Sequence, residues 1–165
     1  MVSYLKDSKY LNLKCLSVHI GSQILNHKPY ENMLKVIDKI ISKSNHKFEY
    51  IDLGGGMGID YEHNNSKLNL KKYSKNIQKF LKKNNSKIIF EPGRSIIGNS
   101  AVLVTKILYI KEGYKKDFVI LDAAMNDLMR PALYNSIHRI IPCKKTKKVT
   151  TKSYEFVGPI CERPA

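Results

Sequence analysis

The sequence predicts an α/β fold: a parallel sheet in the first half, followed by a mainly β region. Three observations predict it. Short apolar runs at residues 15–18, 48–53 and 87–90 alternate with two stretches of helical periodicity. Each run ends in a polar or glycine-rich turn, and beyond residue 100 β-prone runs replace the helical pattern.

The first apolar run leads into a helix that opens on Pro29, a favoured first-turn residue, and carries Met33, Leu34, Ile37, Ile40 and Ile41 on one face. After the second run comes another helix with Leu70, Tyr73, Ile77, Phe80 and Leu81 at the same spacing. The third run completes the order β-α-β-α-β, which implies parallel strands joined by right-handed crossovers. Three strands cannot close an eight-stranded barrel, so the half that ends near residue 98 is expected to be only part of one. Residues 101–110, 118–121 and 154–157 are further β-prone runs, with 111–117 as a turn and 126–138 as a helix or helical turn. The expected division is therefore 1–98 and 99–165.

Composition removes several functions. The sequence of 165 residues is long enough for a sizeable core, and a hydrophobic share of 42% suits a globular protein. No apolar run approaches the roughly 18 residues of a membrane span. The charged start gives no secretory leader, so no membrane partner and a cytoplasmic address are expected. Cys15, Cys143 and Cys161 are far apart and show no ligand spacing, which argues for reduced thiols and no metal site. A formal charge of +15 invites a nucleic-acid reading. Lysines such as Lys35, Lys39, Lys43, Lys71, Lys75 and Lys79 instead fall at solvent-facing helix positions, and the cluster at 144–148 lacks interleaved aromatics. No nucleic-acid partner is expected. Arginine is the contrast: only Arg94, Arg130, Arg139 and Arg163 occur, and only arginine grips an anion with a planar fork. Arg94 and Arg130 lie in unusual local motifs, whereas Arg139 fits a helix surface.

Each parallel strand is followed by a motif at its carboxyl end, where α/β folds bind ligands. The first is His19-Ile20-Gly21-Ser22-Gln23, the second Gly54-Gly55-Gly56-Met57-Gly58, the third Glu91-Pro92-Gly93-Arg94. The glycine run is neither a dinucleotide fingerprint, since Ile59 stands where the last glycine belongs, nor a P-loop. Taken alone it is a tight structural turn or a phosphate cradle. Glu91 and Arg94 could equally form a salt-bridged turn, and His19 a packed histidine.

In combination the motifs are far more specific. With Asp122-Ala123-Ala124-Met125-Asn126-Asp127-Leu128-Met129-Arg130-Pro131-Ala132-Leu133-Tyr134 and Val157-Gly158-Pro159-Ile160-Cys161-Glu162, the sequence resembles diaminopimelate decarboxylases from about residue 11 to 162. The stretch from Met129 to Tyr134 separates it from ornithine and arginine decarboxylases. The resemblance implies the C-terminal part of a (β/α)8 TIM-type barrel bearing pyridoxal 5′-phosphate, then the start of a β-sandwich-like domain. It implies removal of carbon dioxide from meso-diaminopimelate to give L-lysine, in a homodimer. His19 would stack on the cofactor ring, and Ser22, Gly55, Gly56, Gly93 and Arg94 would hold its phosphate. Glu91 would pair with the pyridine nitrogen. Arg94, Arg130 and Tyr134 would bind substrate carboxylates, Glu162 the distal amino group, and Cys161 would return the proton.

The family's covalent cofactor lysine lies in a Tyr-Ala-x-Lys-Ala-Asn-like motif that this sequence does not contain. Where the family continues Cys-Glu-Ser, the sequence reads Cys161-Glu162-Arg163. It is therefore expected to be an internal fragment, poorly soluble or inactive by itself. A non-catalytic pyridoxal-phosphate-binding remnant and a basic nucleic-acid-binding protein are the alternatives.

Overall fold

The computed structural model describes residues 2–62, 64, 66–144 and 152–160. The chain divides into two compact units, Met1–Asp60 with Asn64–Ala101, and Tyr61–His63 with Val102–Ala165.

The first unit runs α1 (Val2–Lys6), β1 (Cys15–Ser17), α2 (Lys28–Ser44), β2 (Tyr50–Asp52), α3 (Leu70–Asn84), β3 (Lys87–Ile89) and α4 (Arg94–Ile97). Its three strands form a parallel sheet in the order β1-β2-β3, with Leu16 opposite Ile51 and Ile51 opposite Ile88. Helix α2 carries its proline in the first turn and is closed by Asn45, which takes the left-handed conformation. Lys6 reaches its carboxyl end, donating to the carbonyls of Ser44 at 3.0 Å and Asn45 at 2.6 Å. Helix α3 is capped by Asn69, whose side chain accepts from the Lys72 N–H at 3.0 Å, and it ends at left-handed Asn85. The buried faces, Tyr30, Met33, Leu34 and Ile37 on α2 and Tyr73, Ile77 and Phe80 on α3, recur at helical spacing. They pack with Phe48, Ile51 and Leu53 into the core. Leu70 and Ile40, expected on those faces, are exposed. The six helical lysines face solvent as expected.

In the second unit are β4 (Ile107–Lys111), β5 (Phe118–Leu121), α5 (Arg130–Tyr134) and β6 (Glu155–Val157). Strands β4 and β5 pair antiparallel through a register shift between Ile107 and Tyr109, whereas β5 and β6 pair parallel. The helix expected over 126–138 shrinks to α5, because Pro131 fixes its start and left-handed Asn135 ends it. Of the β-prone run 101–110, only the last four residues are extended in a ladder. Val119 is the one buried hydrophobic side chain among the described residues of this unit, and all five residues of β4 are exposed.

A barrel part is not what these residues form. Three strands give an open sheet in which, among the described residues, β1 and β3 pair on one side only. The architecture is mixed α/β.

Candidate cofactor and substrate site

Parallel pairing brings the carboxyl ends of β1, β2 and β3, and hence the three motifs, to one edge of the first unit. Backbone hydrogen bonds continue past the strands and lock the turns together. Val18 donates to the Asp52 carbonyl at 3.0 Å, Leu53 to Ile89 at 3.1 Å and Glu91 to Gly54 at 2.9 Å. Ile24 donates to Gly56 at 2.8 Å and Gly58 returns one to Ile24 at 3.1 Å.

The glycine run exists because the turns touch. A Cβ on Gly54 would stand 2.5 Å from the Val18 carbonyl oxygen, on Gly55 2.0 Å from that of Glu91, and on Gly56 2.1 Å from that of Gly21. No rotamer change relieves a contact with backbone, so packing alone accounts for the three glycines. Gly54 and Gly56 also have φ of 62° and 82°. Asp52 fastens the base of this turn: one carboxylate oxygen accepts from the Gly54 N–H at 2.9 Å, the other from the Ser17 hydroxyl at 3.0 Å.

Tyr30 supports the turn from below. Fully buried, it donates its hydroxyl to the Gly55 carbonyl at 3.1 Å and lies 4.7 Å from the Tyr73 ring, centroid to centroid. Burial pushes its pKa up to about 12, with a smaller contribution from Tyr73. Because the folded value lies above the unfolded one, the stability involved is present below about pH 10 and is lost as pH rises toward 12. Tyr30→Phe should cost about 1–3 kcal/mol at neutral pH by orphaning the carbonyl. It should also flatten the alkaline loss. Urea denaturation followed by circular dichroism at several pH values checks this; an alkaline slope equal to wild type would refute it.

The expected site residues of the first unit meet at this edge. His19 Nδ1 accepts from the Gly55 N–H at 3.4 Å, which places the ring proton on Nε2. Arg94 does not form the salt-bridged turn with Glu91: its Nη1 donates to Gln23 Oε1 at 3.0 Å. Ser22 and Glu91 are exposed, and among the described residues neither side chain has a protein partner. The N–H groups of Gly21, Ser22, Gly56 and Gly93 likewise donate to no protein acceptor among the described residues. Free donors, one guanidinium, an unpaired carboxylate and an imidazole suit a phosphorylated pyridine.

In the second unit Arg130 Nη1 donates to the Tyr61 hydroxyl at 2.7 Å, and Tyr61 meets the His138 ring edge-on at 5.4 Å between centroids. Tyr134, one helical turn after Arg130, is exposed. Arg139 lines an open cleft with Tyr61, Glu62 and Ile137, beyond the end of α5 and so not on a helix surface. Cys161 and Glu162 lie outside the described residues, as do 145–148 of the lysine cluster. The sequence reading gave no role to Gln23, Asp52, Tyr30 or Tyr61. Gln23 sits inside a quoted motif and Asp52 within the apolar run that precedes the glycines; Tyr30 and Tyr61 carry no local signal.

The family model described as pyridoxal-dependent decarboxylase, C-terminal sheet domain, matches residues 4–164, which again leaves the barrel part without support. Diaminopimelate decarboxylase of Neisseria meningitidis serogroup B is 42% identical over 157 residues, covering 92% of this chain and 37% of that protein. The Aquifex aeolicus enzyme of the same name is 42% identical over 162 residues, 94% of this chain and 38% of its own length. A crystal structure of Helicobacter pylori diaminopimelate decarboxylase complexed with L-lysine superposes with a TM-score of 0.82 at 34% identity, covering 98% of this chain and 40% of that one. The chain thus spans about two fifths of the length of these relatives. It belongs to the pyridoxal-dependent decarboxylase family.

Proposed function

We propose that this chain supplies one part of the pyridoxal-phosphate and substrate site of a diaminopimelate decarboxylase. The observation that carries the reading is the convergence of three βα turns on one edge, with His19, Glu91 and Arg94 held there by backbone and side-chain contacts. Residues 1–98 hold the cofactor and residues 99–165 contribute to substrate binding.

Ser22, Gly55, Gly56, Gly93 and Arg94 hold the phosphate, which the N–H donors of Ser22, Gly56 and Gly93, without a protein acceptor among the described residues, support. His19 presents its ring face to the cofactor, its orientation fixed by Gly55. Glu91, exposed and without a protein partner among the described residues, keeps the pyridine nitrogen protonated by pairing with it. Bound pyridoxal phosphate supplies an electron-poor ring that takes up the electron pair left by departing carbon dioxide. Arg94 in the first unit, and Arg130 and Tyr134 in the second, bind substrate carboxylates, with Tyr61 steering the Arg130 guanidinium. Glu162 reads the distal amino group. Cys161 returns a proton to the carbon that lost its carboxylate, acting across a homodimer. A cytoplasmic address goes with this reading.

The chain contains no counterpart of the family's covalent lysine motif, so catalysis is expected only when the remaining part of the site is supplied. Full-length chain mixed with the parts of the Aquifex aeolicus relative that it does not cover should form L-lysine from meso-diaminopimelate, and neither component alone should. Lysine formed by this chain alone, or an assembled mixture that forms none, would sink the proposal. A remnant that binds cofactor without catalysis is the second reading, favoured by the same cradle without the lysine motif; it shares the binding and lacks the lysine product.

A further inference from the structure

We propose that Asp52 is a positioning residue for His19. It holds the Gly54–Gly55 turn so that the imidazole is kept in one orientation and one tautomer, with Nδ1 accepting and the proton on Nε2. The inference rests on the reading of His19 as the ring that faces the cofactor, and goes one step beyond it.

The first ground is the ladder between the chain leaving β1 and the chain leaving β2. The Val18 N–H donates to the Asp52 carbonyl at 3.0 Å. A side-chain rung stands on either side of this backbone rung. Before it, the Ser17 hydroxyl donates to Asp52 Oδ2 at 3.0 Å; after it, the Gly55 N–H donates to His19 Nδ1 at 3.4 Å. Ser17 and His19 are two residues apart, so an extended chain carries both side chains on one face. Three successive residues of one chain are thereby registered against one turn.

The second ground is how that turn gets its shape. The Gly54 N–H donates to the other carboxylate oxygen, Asp52 Oδ1, at 2.9 Å, which closes the short turn an aspartate makes with the residue two positions on. Gly54 is left-handed, with φ of 62°, and sends the next N–H, that of Gly55, back toward the β1 chain. A Cβ on Gly54 would lie 3.0 Å from His19 Nδ1 and 3.2 Å from its Cα. The imidazole edge therefore rests on the glycine whose conformation Asp52 holds. A carboxylate offers two acceptor oxygens, which match one donor from each chain. Leu53, Gly54 and Gly55 are buried, so this base is firm, whereas His19 is exposed and depends on it.

The third ground is what the contact leaves on the ring. A donor occupies Nδ1, so the proton of the neutral ring sits on Nε2. A free imidazole samples both tautomers and many ring orientations. One held in advance loses less entropy when a planar ligand arrives against it.

The test is nitrogen-15 NMR of the histidine rings in the full chain, detected through the carbon-bound ring protons at about pH 8.5, above the ordinary imidazole range. Five histidines occur, and His19→Gln assigns the His19 signals. In wild type Nδ1 should show the shift of a bare acceptor and Nε2 that of an N–H, with the ring-carbon relaxation of an ordered side chain. Asp52→Ala should move both nitrogens toward their averaged values in the urea-unfolded chain and make the ring mobile. It should also weaken binding of pyridoxine 5′-phosphate about fivefold, the effect of losing one ordinary hydrogen bond. Asp52→Asn should keep the wild-type pattern, because its oxygen still accepts from Gly54 and its amide donates to the Ser17 hydroxyl. Ser17→Ala, at an exposed position, should move the signals the same way by a smaller amount. Wild-type signals that already match the unfolded chain overturn the proposal, as does loss of the pattern in Asp52→Asn. So do His19 signals unmoved in a folded Asp52→Ala or, should that variant unfold, in Ser17→Ala. Dependence on Asp52, with no response of the His19 ring to pyridoxine 5′-phosphate, upholds the positioning role and overturns the reading of His19 as cofactor-facing.

Discussion

Gly55→Ala should cost the first unit about 3 kcal/mol or more, at or above the upper end of the usual penalty for overpacking. The added Cβ would lie 2.0 Å from the Glu91 carbonyl oxygen and 3.2 Å from its carbon. Both belong to backbone, and Glu91 is tied in place by its own N–H bond to Gly54 at 2.9 Å. Relief requires β3 and its turn to move away from β2, breaking the contacts that assemble the site. Gly55 has no positive φ, so the effect is steric and separates packing from backbone strain. Gly21→Ala is the contrast: nothing lies within 4 Å of its Cβ, and only its φ of 117° resists substitution. Urea denaturation of both variants, with the Glu91 amide followed by NMR, measures the difference. A Gly55→Ala protein of wild-type stability would mean that the turns do not touch as described.

Arg94→Met should weaken binding of a pyridoxine phosphate about ten- to hundredfold, the range for losing about 1.5–3 kcal/mol of charge-assisted hydrogen bonding. Arg94 is the lone arginine of the three turns, and its Nη1 is already oriented by Gln23. Arg94→Lys should lose less, because charge survives while the planar fork does not. Loss confined to the phosphorylated ligand marks a phosphate contact. Equal loss for pyridoxine and its phosphate would move Arg94 from the phosphate to the ring or the substrate.

The parallel half of the fold was legible in the sequence because both periods were clean. Met33, Leu34 and Ile37 face the core, as do Tyr73, Ile77 and Phe80, and Ile51 is the buried centre of the middle strand. The ends of elements were less so. Proline at 131 was visible, yet the stop at Asn135 depends on a left-handed residue whose type is compatible with either outcome. Ile40 and Leu70 are apolar and helical but stand outside the packed stripe, which residue type alone does not reveal. Strand β6 looked like its neighbours, and its parallel pairing with β5 is a matter of chain path. The motifs identified the turns that meet; they did not say why. Glycine at 54–56 reads in sequence as a tight structural turn or a phosphate cradle; the structure shows close backbone packing, which is compatible with either. Gln23 was hidden because the partners of its side chain, Ile59 and Arg94, are distant in sequence.

The second unit carries its own warning. Val102, Val104, Ile107, Leu108, Tyr109 and Ile110 are exposed along and before an edge strand, a surface prone to self-association. That bears on handling of the chain more than on its chemistry.

The most direct measurement is calorimetric titration of the full chain with pyridoxine 5′-phosphate and, separately, with pyridoxine. Neither ligand has the aldehyde through which pyridoxal phosphate reacts with lysines, and this chain is rich in lysine. A cofactor cradle built from these three turns should bind the phosphate ester at a single saturable site, in competition with inorganic phosphate, and pyridoxine at least about tenfold more weakly. Equal affinity for the two ligands, or binding of neither, would contradict it.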